Sequence, residues 1–289
     1  MKGRFSMDFK PFTQSDIKPI VKWAGGKRQL IKELKKLMPQ KWGGRYYEPF
    51  FGGGALFFDI KPQTSVINDV NFDLMTMYRV VKDDPYQLIR LLKIHANRNS
   101  KDYYYKIRSV DRSSLFDELN NIEKAARLLY MLRVDFNGLY RVNSKGQFNV
   151  PFGRHKNPNI VNENTILAVS NFFNSIDIKI KSVDFAKAIN GIKPQDFVYF
   201  DPPYIPLTPT ASFTSYTADG FNFSEQKRLR DLFFSLKRRG IYAMLSNSDT
   251  ELTRKLYSGA NIHMVKANRY INSKSNSRGV VSELIITSY

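Results

Sequence analysis

The sequence predicts an α/β fold on a parallel sheet, interrupted by a mostly helical insert. Three observations carry this expectation. Short apolar or β-branched runs alternate with amphipathic stretches at both ends of the chain, which is how βα units read. The middle carries amphipathic stretches with no clear βα unit between them. That middle region closes on an alternating segment around Ser144-Lys145-Gly146, a hairpin signal with glycine where a positive φ is useful.

The expected strands are Tyr46–Glu48, Ser65–Asn68, Asp177–Ser182, Phe197–Phe200 and Ile241–Ser246, each short and bounded by Gly, Pro, Asn or Asp. Gln226–Arg238 reads as an amphipathic helix of the same layer. In the insert, Asp84–Asn97, Asp102–Val110 and Ile122–Arg133 read as helices, and Gly138–Pro151 as the hairpin. No internal repeat and no low-complexity linker is found.

Length and composition narrow the function. A chain of 289 residues suggests about two domains and buries roughly three quarters of its unfolded surface. With 42% hydrophobic residues, 22 Phe and 16 Tyr, it is not a disordered polymer. It has no cysteine, which excludes disulfides, Cys-ligated zinc, Fe–S clusters and a thiolate nucleophile, and agrees with a reducing, cytoplasmic setting. The formal net charge of +19 and pI near 9.9 suit a polyanionic partner. No apolar run approaches the ~20 residues of a membrane span, and the N-terminus shows no signal-peptide core, so nucleic acid is the better match than a membrane. A protein that merely happens to be basic is the bland alternative. Nine basic residues face one acid between Lys18 and Arg45, and twelve face three between Lys227 and Arg278, whereas Asn71 to Ser175 holds sixteen against ten.

Three short motifs carry candidate chemistry. Glu48-Pro49-Phe50-Phe51-Gly52-Gly53-Gly54 follows an expected strand and opens a helix, where glycines let a ligand approach the backbone. It is not the GxGxxG fingerprint. Asp69 stands at the end of the next strand, where a carboxylate can accept two ribose hydroxyls; a tight turn and a helix cap explain this pair equally well. Lys22-Trp23-Ala24-Gly25-Gly26-Lys27 invites a phosphate-loop reading but lacks the first glycine and the Ser/Thr after the lysine, which argues against an ATPase. Asp201-Pro202-Pro203-Tyr204 directly follows an apolar strand. Its prolines fix the backbone and remove two donors. Asp201 and the Pro202 carbonyl are then placed to accept both hydrogens of an exocyclic amine, and Tyr204 offers a face for an extruded base; a plain Pro-rich turn is the alternative, and it does not predict this combination of acid and aromatic.

Together these motifs, in this order and with a hairpin-bearing insert between them, resemble the Dam family of DNA adenine-N6 methyltransferases in its α arrangement. The resemblance runs from about Pro19 to Tyr289. It includes Phe136-Asn137-Gly138-Leu139-Tyr140-Arg141-Val142-Asn143 and Phe148-Asn149-Val150-Pro151-Phe152-Gly153-Arg154, which resemble the family's recognition hairpin. It looks closest to the GATC-specific members of type II restriction-modification systems. The fold implied is a Rossmann-like S-adenosylmethionine-dependent methyltransferase sheet, with residues 1–70 and 176–289 catalytic and 71–175 the target-recognition domain.

The resemblance implies roles residue by residue. Trp23, Lys27, Glu48, Phe51, Gly52, Gly53, Gly54, Asp69, Asp184 and Asp201 match the surroundings of S-adenosylmethionine, Asp184 near its adenine. Asp201, Pro202 and Tyr204 match the catalytic loop. Lys22, Phe136, Asn137, Leu139, Arg141 and Pro151 match DNA-contacting positions, with Arg141 on a guanine. Many members carry Tyr where this chain has Phe136. On the residues alone, Arg141 is also an ordinary strand arginine, and Trp23 and Phe136 are candidate core. His95, His155 and His263 show no ligand spacing and receive no chemistry; no metal is expected. The implied partner is double-stranded DNA, with a restriction endonuclease as a functional counterpart that need not form a stable complex.

The chemistry implied is direct methyl transfer to adenine N6, whose lone pair is delocalised until fixed acceptors draw it back to nitrogen. The adenine is flipped out for about a few kcal/mol of unstacking. Other readings stay open on the sequence: N4-cytosine methylation, RNA adenine methylation, and a DNA-binding relative with an inactive pocket.

Overall fold

The computed structural model describes residues 13–23, 29–205, 221–268 and 280–289. These fall into two compact units. One holds the chain up to Lys22, Thr76–Val142 and Gln147–Ser175; the other holds Trp23–Met75, Asn143–Gly146 and Ile176–Tyr289.

The larger unit is a seven-stranded sheet. Its strands are β1 (Tyr46–Glu48), β2 (Thr64–Asn68), β3 (Asp177–Lys181), β4 (Phe197–Phe200), β5 (Tyr242–Ser248), β6 (Asn261–Asn268) and β7 (Val280–Thr287). The order is β3-β2-β1-β4-β5-β7-β6, and only β7 runs antiparallel to its neighbours. This is a mixed, mostly parallel sheet of the Rossmann-like kind that the sequence predicts. β1 and β4 are buried at every position because a central parallel strand has both faces covered. At the edge, β3 alternates Ile178 and Ile180 with Asp177, Lys179 and Lys181, and charged side chains on an edge discourage further pairing.

β1 pairs in register with β4, Tyr46 opposite Phe197 and Tyr47 opposite Val198. The strand order reverses there, so the loops after both strands emerge side by side at a switch point, where open α/β sheets bind ligands. One face is closed by Phe223–Arg238, whose Leu229, Phe233 and Leu236 pack on Val198, Phe200 and Leu245 in one apolar core. Asn222 starts this helix by accepting from Ser224 and Glu225 N–H.

The smaller unit is mostly helical: Pro85–Arg98, Lys101–Ser109, Asn121–Val134 and Glu163–Ser175 are its longer helices. Asn120 and Glu123 form a capping box at the start of Asn121–Val134. The expected hairpin is present but short. Val142 bridges Phe148, Asn149 N–H donates to the Arg141 carbonyl at 3.0 Å, and Gly146 turns the chain at φ +74°. The expected elements agree in type with those observed; β6, β7 and the helices Phe72–Asp83 and Glu163–Ser175 have no counterpart among them. Among the described residues no helix is long and apolar enough to cross a membrane.

Candidate functional site

The glycine turn after β1 is built so that only glycine fits. Gly52 and Gly54 take φ of +48° and +64°, where an L side chain is strained. A Cβ on Gly52 would come within 2.8 Å of Trp23 Cδ1, and one on Gly54 would strike the Phe51 ring. Trp23 is therefore half-buried over the turn and Phe51 is core beneath it, packed edge-on against Phe57. Gly53 is half-buried between them. The turn thus presents bare backbone rather than side chains at the end of β1.

Asp69, half-buried at the end of β2, clamps the turn. Its Oδ2 accepts from Gly52 N–H at 2.9 Å and its Oδ1 from Asn71 N–H at 3.0 Å. Burial raises its pKa above the ordinary carboxylate value, and those two N–H groups oppose the rise. Each carboxylate oxygen keeps a second lone pair for a hydroxyl. Glu48, 3% exposed, accepts from Tyr46 Oη at 2.7 Å. Burial pushes it well above the carboxylate range; the Tyr46 hydroxyl opposes this and the charge of Asp201 adds to it.

Asp201, Pro202, Pro203 and Tyr204 leave the end of β4 beside this turn. Asp201 is half-buried and Pro202 buried. Tyr204 donates from its hydroxyl to Glu283 Oε2 at 2.9 Å. Burial, then the charge of Asp201, holds Tyr204 firmly as the neutral phenol. Glu283, in β7, carried no sequence signal. Asp184 caps the short helix Phe185–Ala188 through Ala186 N–H at 3.0 Å and pairs with Arg228. Burial opposes its ionisation, but Arg228 and that N–H outweigh it and hold its pKa below the ordinary value. The sheet unit thus brings together Trp23, Glu48, the three glycines, Asp69, Asp184 and Asp201; Lys27 lies outside the described residues.

In the helical unit the hairpin residues face outward. Phe136 is 52% exposed, so the core reading fails for it. Asn137, Arg141 and Pro151 are exposed and Leu139 half-buried. Asn137 takes φ +64° in a tight turn, and Phe136 N–H donates to the Pro151 carbonyl at 2.9 Å. Arg141 is held from behind: Nε donates to Asn149 Oδ1 at 2.7 Å and Nη2 to the Asn149 carbonyl at 3.3 Å. Lys22, Asn137 and Gly138 line a groove of about 410 Å³ with Arg133, His155 and Lys156. His155 is fixed by a ring-nitrogen hydrogen bond with the Asp135 carbonyl at 2.8 Å, a placement no local pattern announces. Behind it Asp135 is fully buried, and neither carboxylate oxygen makes a well-formed hydrogen bond. Burial raises its pKa to about 8, against the pull of Gly138 and Leu139 N–H and the Lys22 charge.

Comparisons with known proteins agree with one another. Residues 23–271 match the model of the D12 class of N6 adenine-specific DNA methyltransferases. A type II methyltransferase of Lactococcus lactis subsp. cremoris is 53% identical over 274 residues, covering 95% of this chain and 96% of that protein. A type II methyltransferase of Methanocaldococcus jannaschii is 40% identical, covering 95% and 100%. The DNA adenine methylase of Escherichia coli K12 is 34% identical, covering 92% and 93%.

Proposed function

Given that this chain belongs to the D12 class of N6 adenine-specific DNA methyltransferases, we propose that it methylates the adenine of GATC sites in duplex DNA and so shields them from a cognate endonuclease. As a member of that class it is an adenine-N6 DNA methyltransferase, and the class implies S-adenosylmethionine as methyl donor. That group supplies an electrophilic methyl on a good leaving group. The glycine cradle and the Asp69 carboxylate suit it, with Trp23, Glu48, Phe51 and Asp184 around them; Lys27 is assigned to the same cofactor and Lys22 to the DNA.

On this reading Asp201 and the Pro202 carbonyl accept the two amine hydrogens of the target adenine. Fixed acceptors there return lone-pair density to N6 and stabilise the positive charge that develops on it. Tyr204, its hydroxyl held by Glu283, stacks on the extruded ring. The observation that carries the proposal is the pairing of β1 with β4, which sets the glycine turn and the Asp201 loop on neighbouring strand ends. Residues 1–70 with 176–289 are assigned to catalysis and 71–175 to target recognition. Phe136 and Asn137 enter the opened stack, and Arg141, with Leu139 and Pro151 beside it, reads a guanine through a bidentate contact.

The pairing with an endonuclease draws on the higher identity to the Lactococcus type II methyltransferase than to the Escherichia coli methylase. The test uses labelled S-adenosylmethionine and duplexes carrying GATC or single-base variants of it. One portion of the product is digested to nucleosides to identify the modified base, and another is challenged intact with an endonuclease that cuts GATC. N6-methyladenine on GATC alone, with resistance to cutting, is the expected result. Equal labelling of every duplex contradicts the site assignment.

A further inference from the structure

Three side chains outside every motif hold the Asp201–Ile205 loop. Gln226, 1% exposed in the first turn of Phe223–Arg238, donates from Nε2 to the Pro203 carbonyl at 2.9 Å. Asn247, fully buried in β5, accepts from Ile205 N–H through Oδ1 at 3.0 Å and from Ser248 N–H at 2.8 Å. Its Nδ2 reaches Gln226 Oε1 at 3.4 Å, so the two amides form one chain. The third is Glu283 on the Tyr204 hydroxyl.

The chemistry of the loop explains why such holders are needed. Pro202 and Pro203 have no N–H, so the backbone there offers few handles. Gln226 takes the carbonyl before Tyr204 and Asn247 takes the N–H after it, fixing the peptide plane on each side of that residue. The orientation of both amides is forced: Asn247 must turn its oxygen to Ile205, which leaves its nitrogen for Gln226 and the Gln226 nitrogen for Pro203. Burying two amides is costly unless every group is engaged. Packing alone would be served as well by apolar residues of the same size.

We infer that Gln226 and Asn247 are positioning residues for methyl transfer, holding the Pro203 carbonyl and the Ile205 N–H so that Asp201 and the Pro202 carbonyl stay aimed at the amine. The inference rests on the acceptor roles proposed above for Asp201 and Pro202. Displacing reacting groups by 1 Å costs on the order of 10²-fold in rate.

The test is single-turnover methylation by the full-length enzyme, with saturating S-adenosylmethionine and a duplex that the wild type modifies. Gln226→Met keeps the volume and removes the bonds. Its rate constant is expected to fall about 10- to 100-fold, with the affinities for cofactor and duplex unchanged. Gln226→Glu loses the donor until its carboxyl is protonated, so its rate relative to wild type rises as pH falls, while the ratio for Gln226→Met stays flat. A wild-type rate in Gln226→Met overturns the inference. If that variant does not fold, as judged by circular dichroism, Gln226→Glu decides, and a pH-independent ratio overturns the inference. Asp201→Ala in the same assay separates the two levels: if it transfers at the wild-type rate, the acceptor reading itself fails.

Discussion

The loops at the strand ends and the hairpin proposed to read DNA are held in opposite ways. Around Asp201 and the glycine turn, side chains are half-buried or buried and held by partners far away in sequence, such as Glu283 on Tyr204 and Asp69 on Gly52. In the hairpin, Phe136, Asn137, Arg141 and Pro151 stand exposed, and their anchors are local, such as Asn149 behind Arg141. A reacting centre gains from fixed geometry before the substrate arrives. On the proposed reading, a surface that contacts DNA must leave its donors and apolar faces to the partner, so bracing from behind suits it.

The largest effect that tests this contrast is expected at Asp201. Asp201→Ala removes the charged acceptor, and the single-turnover rate should drop by about 10²–10³ while cofactor and duplex affinities hold; a parallel loss of binding would mean that the residue supports the fold instead. Asp135 behind the hairpin tests the bracing. Its carboxyl titrates near 3.8 when unfolded and about 8 when folded. The folded chain therefore keeps its proton longer, and stability falls as pH rises from roughly 4 to 8, by about 1.4 kcal/mol per pH unit at most. Asp135→Asn removes that slope, so denaturant melts of the two proteins should diverge with pH; parallel curves would show that the carboxyl is ordinary.

Asp69→Ala strips both the Gly52 clamp and the proposed hydroxyl acceptor. Calorimetry should show S-adenosylmethionine binding weaker by about 1.5–3 kcal/mol, and unchanged affinity would refute the ribose role. The smallest change is expected from Asn149→Ala, which frees Arg141 without removing it. It should lower kcat/KM on GATC by about 0.5–1.5 kcal/mol, and no loss would mean that the guanidinium needs no brace.

Much of this was legible locally. Asp201-Pro202-Pro203-Tyr204 stands out because an acid, two prolines and an aromatic at a strand end form an uncommon combination, and the glycine run marks a turn in which Gly52 and Gly54 take positive φ. Gln226, Asn247 and Glu283 were not legible, because a buried polar residue is marked only by a partner that the sequence does not place beside it. His155 was set aside for the same reason: without ligand spacing nothing local announces its seat on the Asp135 carbonyl. The helix Glu163–Ser175 escaped because Thr165 to Ser170 are all buried, which blurs the 3.6-residue period that an amphipathic helix displays. β6 and β7 carry no such mark because β7 lies between β5 and β6 at one end of the sheet, a pairing that no tight-turn signal announces.

The division of labour is tested most directly by measuring kcat/KM on GATC and on AATC for wild type, Asp201→Ala and Arg141→Ala at one salt concentration. Asp201→Ala should lose activity on both duplexes by the same factor, since it acts on the amine whatever flanks it. Arg141→Ala should lose about 1–3 kcal/mol on GATC and almost nothing on AATC, since a bidentate contact to O6 and N7 is already absent there. Equal losses on the two duplexes for Arg141→Ala would make it a backbone clamp and contradict the assignment of reading to the hairpin.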